Sequence, residues 1–323
     1  MKYLVYGAIF LLIITVIFFY FLNFNNSNIK PTNIKQTANL VDNATITNNQ
    51  SSTHSNPTST IANKITNQVI ILPTTSIKQG DILRIIIKNP DNNITNIQFL
   101  NNTYNFFKYN NELNAIIPIN VNAKLGTYNL YINNINFVQP INIISANFPI
   151  IQIQLPQLIT SPELLQKYQQ EKQNIEKAYA LSNPNIYFNT SFTYPLQNIE
   201  ITSIFGEKRT DQSINYSSYH NGVDLRAKIN TPVYAINNGV VKIADHYILE
   251  GNFIIIDHGS NIFSDYLHLN KLNVKQGDYV QKGQLIGWTG ESGQTIGPHL
   301  HFMIKINNTP VDPLNFINLW KLD

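Results

Sequence analysis

The chain of 323 residues contains no cysteine, two methionines and two tryptophans. Without cysteine there is no disulfide, no thiolate nucleophile, no thiolate-bound metal cluster and no lipidated N-terminal cysteine. Such a fold can survive in an oxidising compartment without mispairing. Charge is also scarce: 13% of residues are Asp, Glu, Lys or Arg, about half the usual ~25%. Asn, Ser, Thr and Gln fill the deficit, so surfaces are polar but weakly charged. A net charge of +3 is too small to point to nucleic acid and permits only a mild attraction to anionic surfaces. Glycine is rare before position 206, whereas eleven of the 14 glycines lie from Gly206 to Gly297. The C-terminal part is therefore where tight turns and close backbone approaches concentrate.

The apolar content, 43%, is not evenly spread. Tyr3–Leu22 is a run of 20 uncharged residues, long enough at ~1.5 Å per residue to span a ~30 Å hydrocarbon core. Lys2 and the terminal amine precede it, which predicts a cytoplasmic N-terminus and an exported remainder. A cleaved signal peptide would have a shorter apolar core and a small-residue cleavage site; neither is evident around Phe21–Phe24. Residues 1–23 thus read as a single-pass signal anchor, with a cleaved, secreted form as the alternative. Residues 24–67 follow as a linker of Asn, Ser, Thr, Ile and Lys, too polar to bury a core. His54 lies there and reads as solvated.

From 68 to 155 the pattern is strand-like. Gly80-Asp81 marks a turn before the β-branched run Ile82–Lys88, Asn89–Asn93 closes it, and Tyr128, Leu130 and Ile132 alternate after Gly126-Thr127. Short strands at this spacing predict a small β-sandwich-like accessory domain, without histidine and with few carboxylates. Residues 156–184 predict a connecting helix, with Ser161 as N-cap, Pro162 at its first position and Leu164, Leu165, Tyr168, Ile175, Ala178 and Tyr179 on one stripe. Such a helix is a connector packed on its neighbour, or a strut or lid over the next domain. Strands return from 185 to 323, and Val274–Gly287 reads as a hairpin. The fold class is mainly β.

Six of the seven histidines fall between His220 and His301. His220 and Asp224 are four apart with Gly222 between them, where the chain can turn so that both side chains converge. His299 and His301 are two apart, on one face of a strand with Cα atoms ~6.6 Å apart. That is too far for both to bind one ion easily at ~2.0–2.1 Å, so one would ligate while the other faces a substrate. Neutral imidazoles with one carboxylate and no thiolate are the ligand chemistry of a catalytic zinc site with an open position for water. No HExxH helix is present, so a spare histidine, with an ordinary pKa near 6.5, is the natural general base.

The ordered set of short motifs resembles the LytM/lysostaphin-type zinc metallopeptidases, which cut peptide cross-links of bacterial cell walls. It comprises Thr202–Gly206, His220–Leu225, Thr231–Ala235, Gly239–Val241, Gly251-Asn252, Ile256–Gly259, Tyr266–Leu269, the Val274–Gly287 segment, Gly297–Phe302 and Val311–Pro313. Each piece alone is weak; their order and spacing run from Ile201 to Phe316, more than a third of the chain. The resemblance implies a compact antiparallel β peptidase domain over 185–323 with the site in a narrow groove. It implies one zinc per chain held by His220, Asp224 and His301, with His268 and His299 as general base and transition-state stabiliser in an order the motifs leave open. It also implies peptidoglycan peptide stems as substrate and a place on the outer side of a bacterial inner membrane, in the periplasm or extracellular space. Non-catalytic scaffolds that activate other wall hydrolases share the fold but typically lack some of these positions, all five of which are filled here. Asn230, Ser292 and Met303 depart from the family's usual residues. His258 reads as a structural residue at a strand end, and His246 as a loop residue.

Overall fold

The computed structural model describes residues 68–321, apart from 74–75, 91–92 and 213–215. The expected anchor (1–23) and linker (24–67) lie outside the described residues. Among those described, no helix is long and apolar enough to cross a membrane.

The first region is a sandwich of two sheets. One has four strands in the order 68–72, 82–88, 112–118 and 107–109; the other has five, in the order 76–78, 137–144, 126–132, 96–99 and 102–105. Leu83, Ile85, Ile87, Ala115 and Ile117 of the first sheet share a core with Ile77, Ile97, Leu130, Ile132, Ile141 and Ile143 of the second. Each of these Ile and Leu side chains contributes about 1.5–3 kcal/mol by leaving water. The run Ile82–Ile87 shows no polar alternation because both its faces are covered. Ile82 belongs to the core of the C-terminal region. Arg84, fully buried, lies with its guanidinium carbon 4.0 Å from the Trp320 ring centroid and donates through Nε to Asn114 Oδ1 at 3.0 Å. Phe107, Tyr109, Phe188, Phe192 and Phe316 surround the same tryptophan. The two regions therefore meet through packed aromatic rings.

Helix α1, Pro162–Ala180, starts where the sequence predicts: Ser161 is the N-cap and its Oγ accepts from the Leu164 amide at 3.3 Å. Its buried residues are Glu171, Ala178 and Tyr179, so the deeply buried part of the expected stripe is only the C-terminal end. There Ala178 and Tyr179 pack with Ile243, Tyr247, Phe253, Ile255 and Phe263.

The C-terminal region is built on a ten-stranded sheet whose main path runs 201–203, 223–226, 299–306, 262–272, 251–257, 239–247 and 279–280. All its pairings are antiparallel. Its two faces differ. Leu300, Phe302, Ile304 and Ile306 point into the apolar core with Val223, Leu225, Ile254, Ile256 and Tyr266. Alternation puts His299, His301, Met303 and Lys305 on the opposite face, which is the face α1 covers further along. Helix α2, Pro313–Leu319, closes the chain over the core with Asp312 as its N-cap.

The expected hairpin over Val274–Gly287 does not form as such. Residues 279–280 pair with Gly239 and Val240, whereas 285–289 pair with 232–234 and with 262–272. Gly277 and Gly283 do adopt positive φ, +90° and +76°, so the turn chemistry was legible, but each arm found a better-placed partner edge than the other. Asn230 takes φ +68°, the left-handed conformation that asparagine tolerates where glycine is usual.

Candidate metal centre

Three donor atoms converge at one end of the central strands. Register pairs Asp224 with His301 and Arg226 with His299 across strands 223–226 and 299–306. The carboxylate therefore stands directly opposite one histidine and one row from the other. Asp224 Oδ1 lies 2.8 Å from His301 Nδ1 and 3.1 Å from His220 Nε2, and those two nitrogens are 3.0 Å apart. His220, Asp224 and His301 are all buried.

Gly222 sits at a bend, as expected, but what makes glycine necessary there is not its backbone freedom. Its φ is not positive; the requirement is space. A Cβ there would lie 2.5 Å from Phe302 O, 2.7 Å from Met303 Cγ and 2.9 Å from His301 Nε2. Met303 packs against Gly222 and carries no polar contact to the site.

Tautomers follow from the backbone. His220 Nδ1 donates to Ile204 O at 2.8 Å, which leaves its Nε2 lone pair facing Asp224 and His301. His268 Nδ1 donates to Ser292 O and His299 Nδ1 to Gly297 O, both at 2.8 Å. Three rings thus commit their N–H to carbonyls and present a bare Nε2, while His301 presents Nδ1.

Electrostatics agree with that assignment. Burial pushes the His301 imidazole down to about 4 in spite of its carboxylate neighbour. Burial, with His301 and His299 beside it, takes His268 down to about 3. Burial alone would raise Asp224, but its close contacts with His220 and His301 hold its carboxyl far below the usual range. An ionised Asp224 carboxylate beside a neutral His301 imidazole is the protonation state a metal ion requires. Ligands at ~2.0–2.1 Å around a tetrahedral ion lie about 3.3–3.4 Å apart. Separations of 2.8–3.1 Å need only a small outward shift, so the donor set fits zinc. Among the described residues this trio forms the group able to hold a metal ion.

The other two predicted residues flank the trio. His268 and His299 ring centroids are 5.0 Å apart, and His268 and His301 are 6.0 Å apart; His299 Nε2 reaches 3.5 Å from Asp224 Oδ1. Strand alternation alone would not place His268 here. Pairing with strand 251–257 shifts register between Tyr266 and Leu269, and both of those side chains are in the core. Leu267 and His268 therefore face outward together, a β-bulge with His268 at φ +62°. Holding a histidine there costs about 1–3 kcal/mol. It is offset by the Ser292 carbonyl and by the His268 amide bond to Glu250 O at 3.0 Å.

His258 is fully buried, with Nδ1 on Asn238 O at 2.7 Å and Nε2 by Ser264 Oγ at 2.8 Å. It is a structural residue away from the trio. His246, expected on a loop, sits instead on the exposed end of strand 239–247, beside Asn252 Oδ1; the strand simply runs further than the turn signal suggested. Sequence reasoning missed Arg209, which donates from Nη2 to Asp224 Oδ2. It stands eleven positions before His220 in a segment without a spacing motif, and only folding reveals it. A cavity of about 400 Å³ on the same sheet face reaches from Asn221, beside His220, to Tyr168, Glu250, Asp265 and Lys305 under α1.

Residues 218–313 match peptidase family M23. The chain is 38% identical over 114 residues to the peptidoglycan DD-endopeptidase ShyA of Vibrio cholerae, covering 35% of this chain and 26% of that protein. It is 41% identical over 104 residues to lysostaphin of Staphylococcus simulans, covering 30% of this chain and 21% of that one. The match thus spans about a quarter of the length of these relatives. A crystal structure of a peptidase M23 from Pseudomonas aeruginosa superimposes with a TM-score of 0.58 at 23% identity, over 74% of this chain and 94% of that one. That likeness concerns the fold.

Proposed function

Taking residues 218–313 as a peptidase family M23 domain, we propose that the chain is a zinc-dependent endopeptidase that hydrolyses peptide cross-links of bacterial peptidoglycan. The observation that carries this reading is the convergence of His220 Nε2, Asp224 Oδ1 and His301 Nδ1 beside two further imidazoles with bare Nε2 atoms.

His220, Asp224 and His301 would hold one zinc per chain. When bound, zinc supplies a Lewis acid that polarises a carbonyl and brings the pKa of water toward neutrality. His299, half-buried at the rim of the site, has its Nδ1 proton tied to Gly297 O, so Nε2 can accept a proton and later return it to the leaving amine. His268 is oriented by Ser292 O and held neutral by burial; its bare Nε2 is a second proton acceptor beside His299, and it would steady charge on the carbonyl oxygen only once that nitrogen carries a proton. A non-catalytic scaffold is the weaker reading, because all five positions carry side chains able to perform these roles. Tyr3–Leu22 would tether the domain at the outer side of the membrane, with the polar segment 24–67 giving it reach to the wall.

The test is product analysis by mass spectrometry. The full chain is incubated with purified peptidoglycan, beside a chelator-treated sample and a His299→Ala variant. New cross-link-cleavage products that vanish in both controls are expected. Absence of products from a zinc-loaded chain would favour the scaffold.

A further inference from the structure

Arg209 and its supports lie outside the residues that match the family, 218–313, yet they grip a carboxylate inside it. Asp224 turns Oδ1 toward the two imidazole nitrogens, while Oδ2 accepts from Arg209 Nη2 at 2.5 Å. The same Nη2 donates to Ser203 Oγ at 2.7 Å, and Ser203 Oγ contacts Glu207 Oε2. Glu207 Oε1 in turn accepts from the Ile204 amide at 3.2 Å, and Ile204 O is the acceptor that sets the His220 tautomer. One short segment, 203–209, thus orients two of the three donor residues.

That segment is itself clamped from further upstream. Strand 150–152 runs parallel to 208–210, with Ile151 opposite Arg209. The Lys208 amide donates to Pro149 O at 2.8 Å and the Ile153 amide to Thr210 O at 2.9 Å. Thr210 Oγ1 donates to Ile151 O at 3.2 Å, and the Leu155 amide to Asp211 Oδ2 at 3.4 Å. Residues 149–155 join the sandwich to α1, so the clamp belongs to the connection between regions.

We propose that Arg209 is a positioning residue for the metal centre: its guanidinium occupies Oδ2 so that only Oδ1 of Asp224 faces the metal, and segment 149–155 fixes where that guanidinium stands. The proposal rests on reading His220, Asp224 and His301 as metal ligands. A carboxylate left with both oxygens free can rotate or bind through both, which changes the number of donors around the ion. A planar guanidinium held on one oxygen prevents this, and an ammonium on a flexible stem does so less well.

The test uses the full-length chain and two ions. Zinc affinity is measured by competition with a chromophoric chelator, and coordination by the visible absorption of the cobalt(II) form. Arg209→Gln is expected to weaken zinc binding about 10–100-fold, the usual worth of an outer partner to a ligand. It is also expected to lower the cobalt band intensity as the donor number rises. Arg209→Lys should restore part of both. Ser203→Ala, which leaves the Arg209–Asp224 pair in place, and Ile153→Pro, which removes the amide bonded to Thr210, should weaken zinc in the same direction by less. These two keep the proposal testable if Arg209→Gln fails to fold. Zinc affinity within about twofold of the unaltered chain, well short of that 10–100-fold loss, and an unchanged cobalt spectrum in the Arg209 or Ser203 variants would overturn the proposal alone. An unaltered chain that binds neither ion would overturn the metal reading together with it.

Discussion

The sandwich and the ten-stranded sheet solve the same packing problem with opposite chemistry. Of the 14 buried polar or charged residues among those described, only Arg84 and Asn114 belong to the sandwich, and the other twelve lie from Glu171 onward. The sandwich core is almost wholly Ile, Leu, Phe and Ala, so its side chains need shape but no partners. The ten-stranded sheet has one such face, and a second on which His301, His268, Asp224 and Asp265 are buried and must be hydrogen-bonded or shift their protonation. Function collects where burial is most costly, and backbone carbonyls aimed at ring nitrogens offset that cost.

The largest effects should come from the polar face. His301→Ala is expected to lose zinc and activity together. His299→Ala should keep most of its zinc while losing about 10²–10⁴-fold in rate. Metal analysis beside turnover separates the two, and equal zinc loss would overturn their division of labour. On the sandwich side, Ile85→Ala should cost about 2–5 kcal/mol in denaturant unfolding and leave the turnover of folded molecules unchanged. A changed turnover would mean the two regions are coupled more tightly than their interface suggests.

Asp265 sharpens the contrast through pH. Burial raises its carboxyl from 3.8 to about 6, with Lys305 only partly opposing. Tyr179 donates to one oxygen and the other, Oδ1, has no partner. In the folded chain this acid binds a proton that the unfolded chain has already released between about pH 4 and 6, so stability falls as pH rises through that window. Asp265→Asn should therefore stabilise the protein at about pH 7, by at most about 3 kcal/mol, and by little at about pH 4. Thermal melts at the two pH values measure it, and an equal change at both would refute the assignment. Gly222→Ala is the smallest change in atoms. It should destabilise by about 1–3 kcal/mol through overpacking and weaken zinc, because the new methyl meets Phe302 O and His301. Chelator competition and unfolding, read side by side, would show whether the two losses travel together.

The helix start at Ser161, the strand Ile82–Lys88, the alternation after Gly126 and the gathering of the five candidate site residues were all legible, because each is written in local spacing or in a short motif. The hairpin at 274–287 was not, since turn residues specify a reversal and say nothing of which edge each arm will pair with. Arg209 was invisible for a related reason: its meaning lies in a contact with Asp224, and no periodicity links the two. His268 was legible as a residue but not as a geometry, because an alternating strand would have placed its side chain wrongly.

What the sequence determined by itself was the kind of chemistry. With no cysteine and with histidines gathered near one aspartate, composition and spacing already pointed to imidazole and carboxylate donors, while the choice of His220, Asp224 and His301 rested on the family resemblance. What only the tertiary structure decided was orientation. Carbonyls of Ile204, Ser292 and Gly297 select the tautomers, a bulge turns His268 outward, and the pairing of strand 150–152 with 208–210 helps place Arg209 at Asp224. These depend on backbone groups far apart in the chain, and hydrogen-bond direction exists only once the chain has folded.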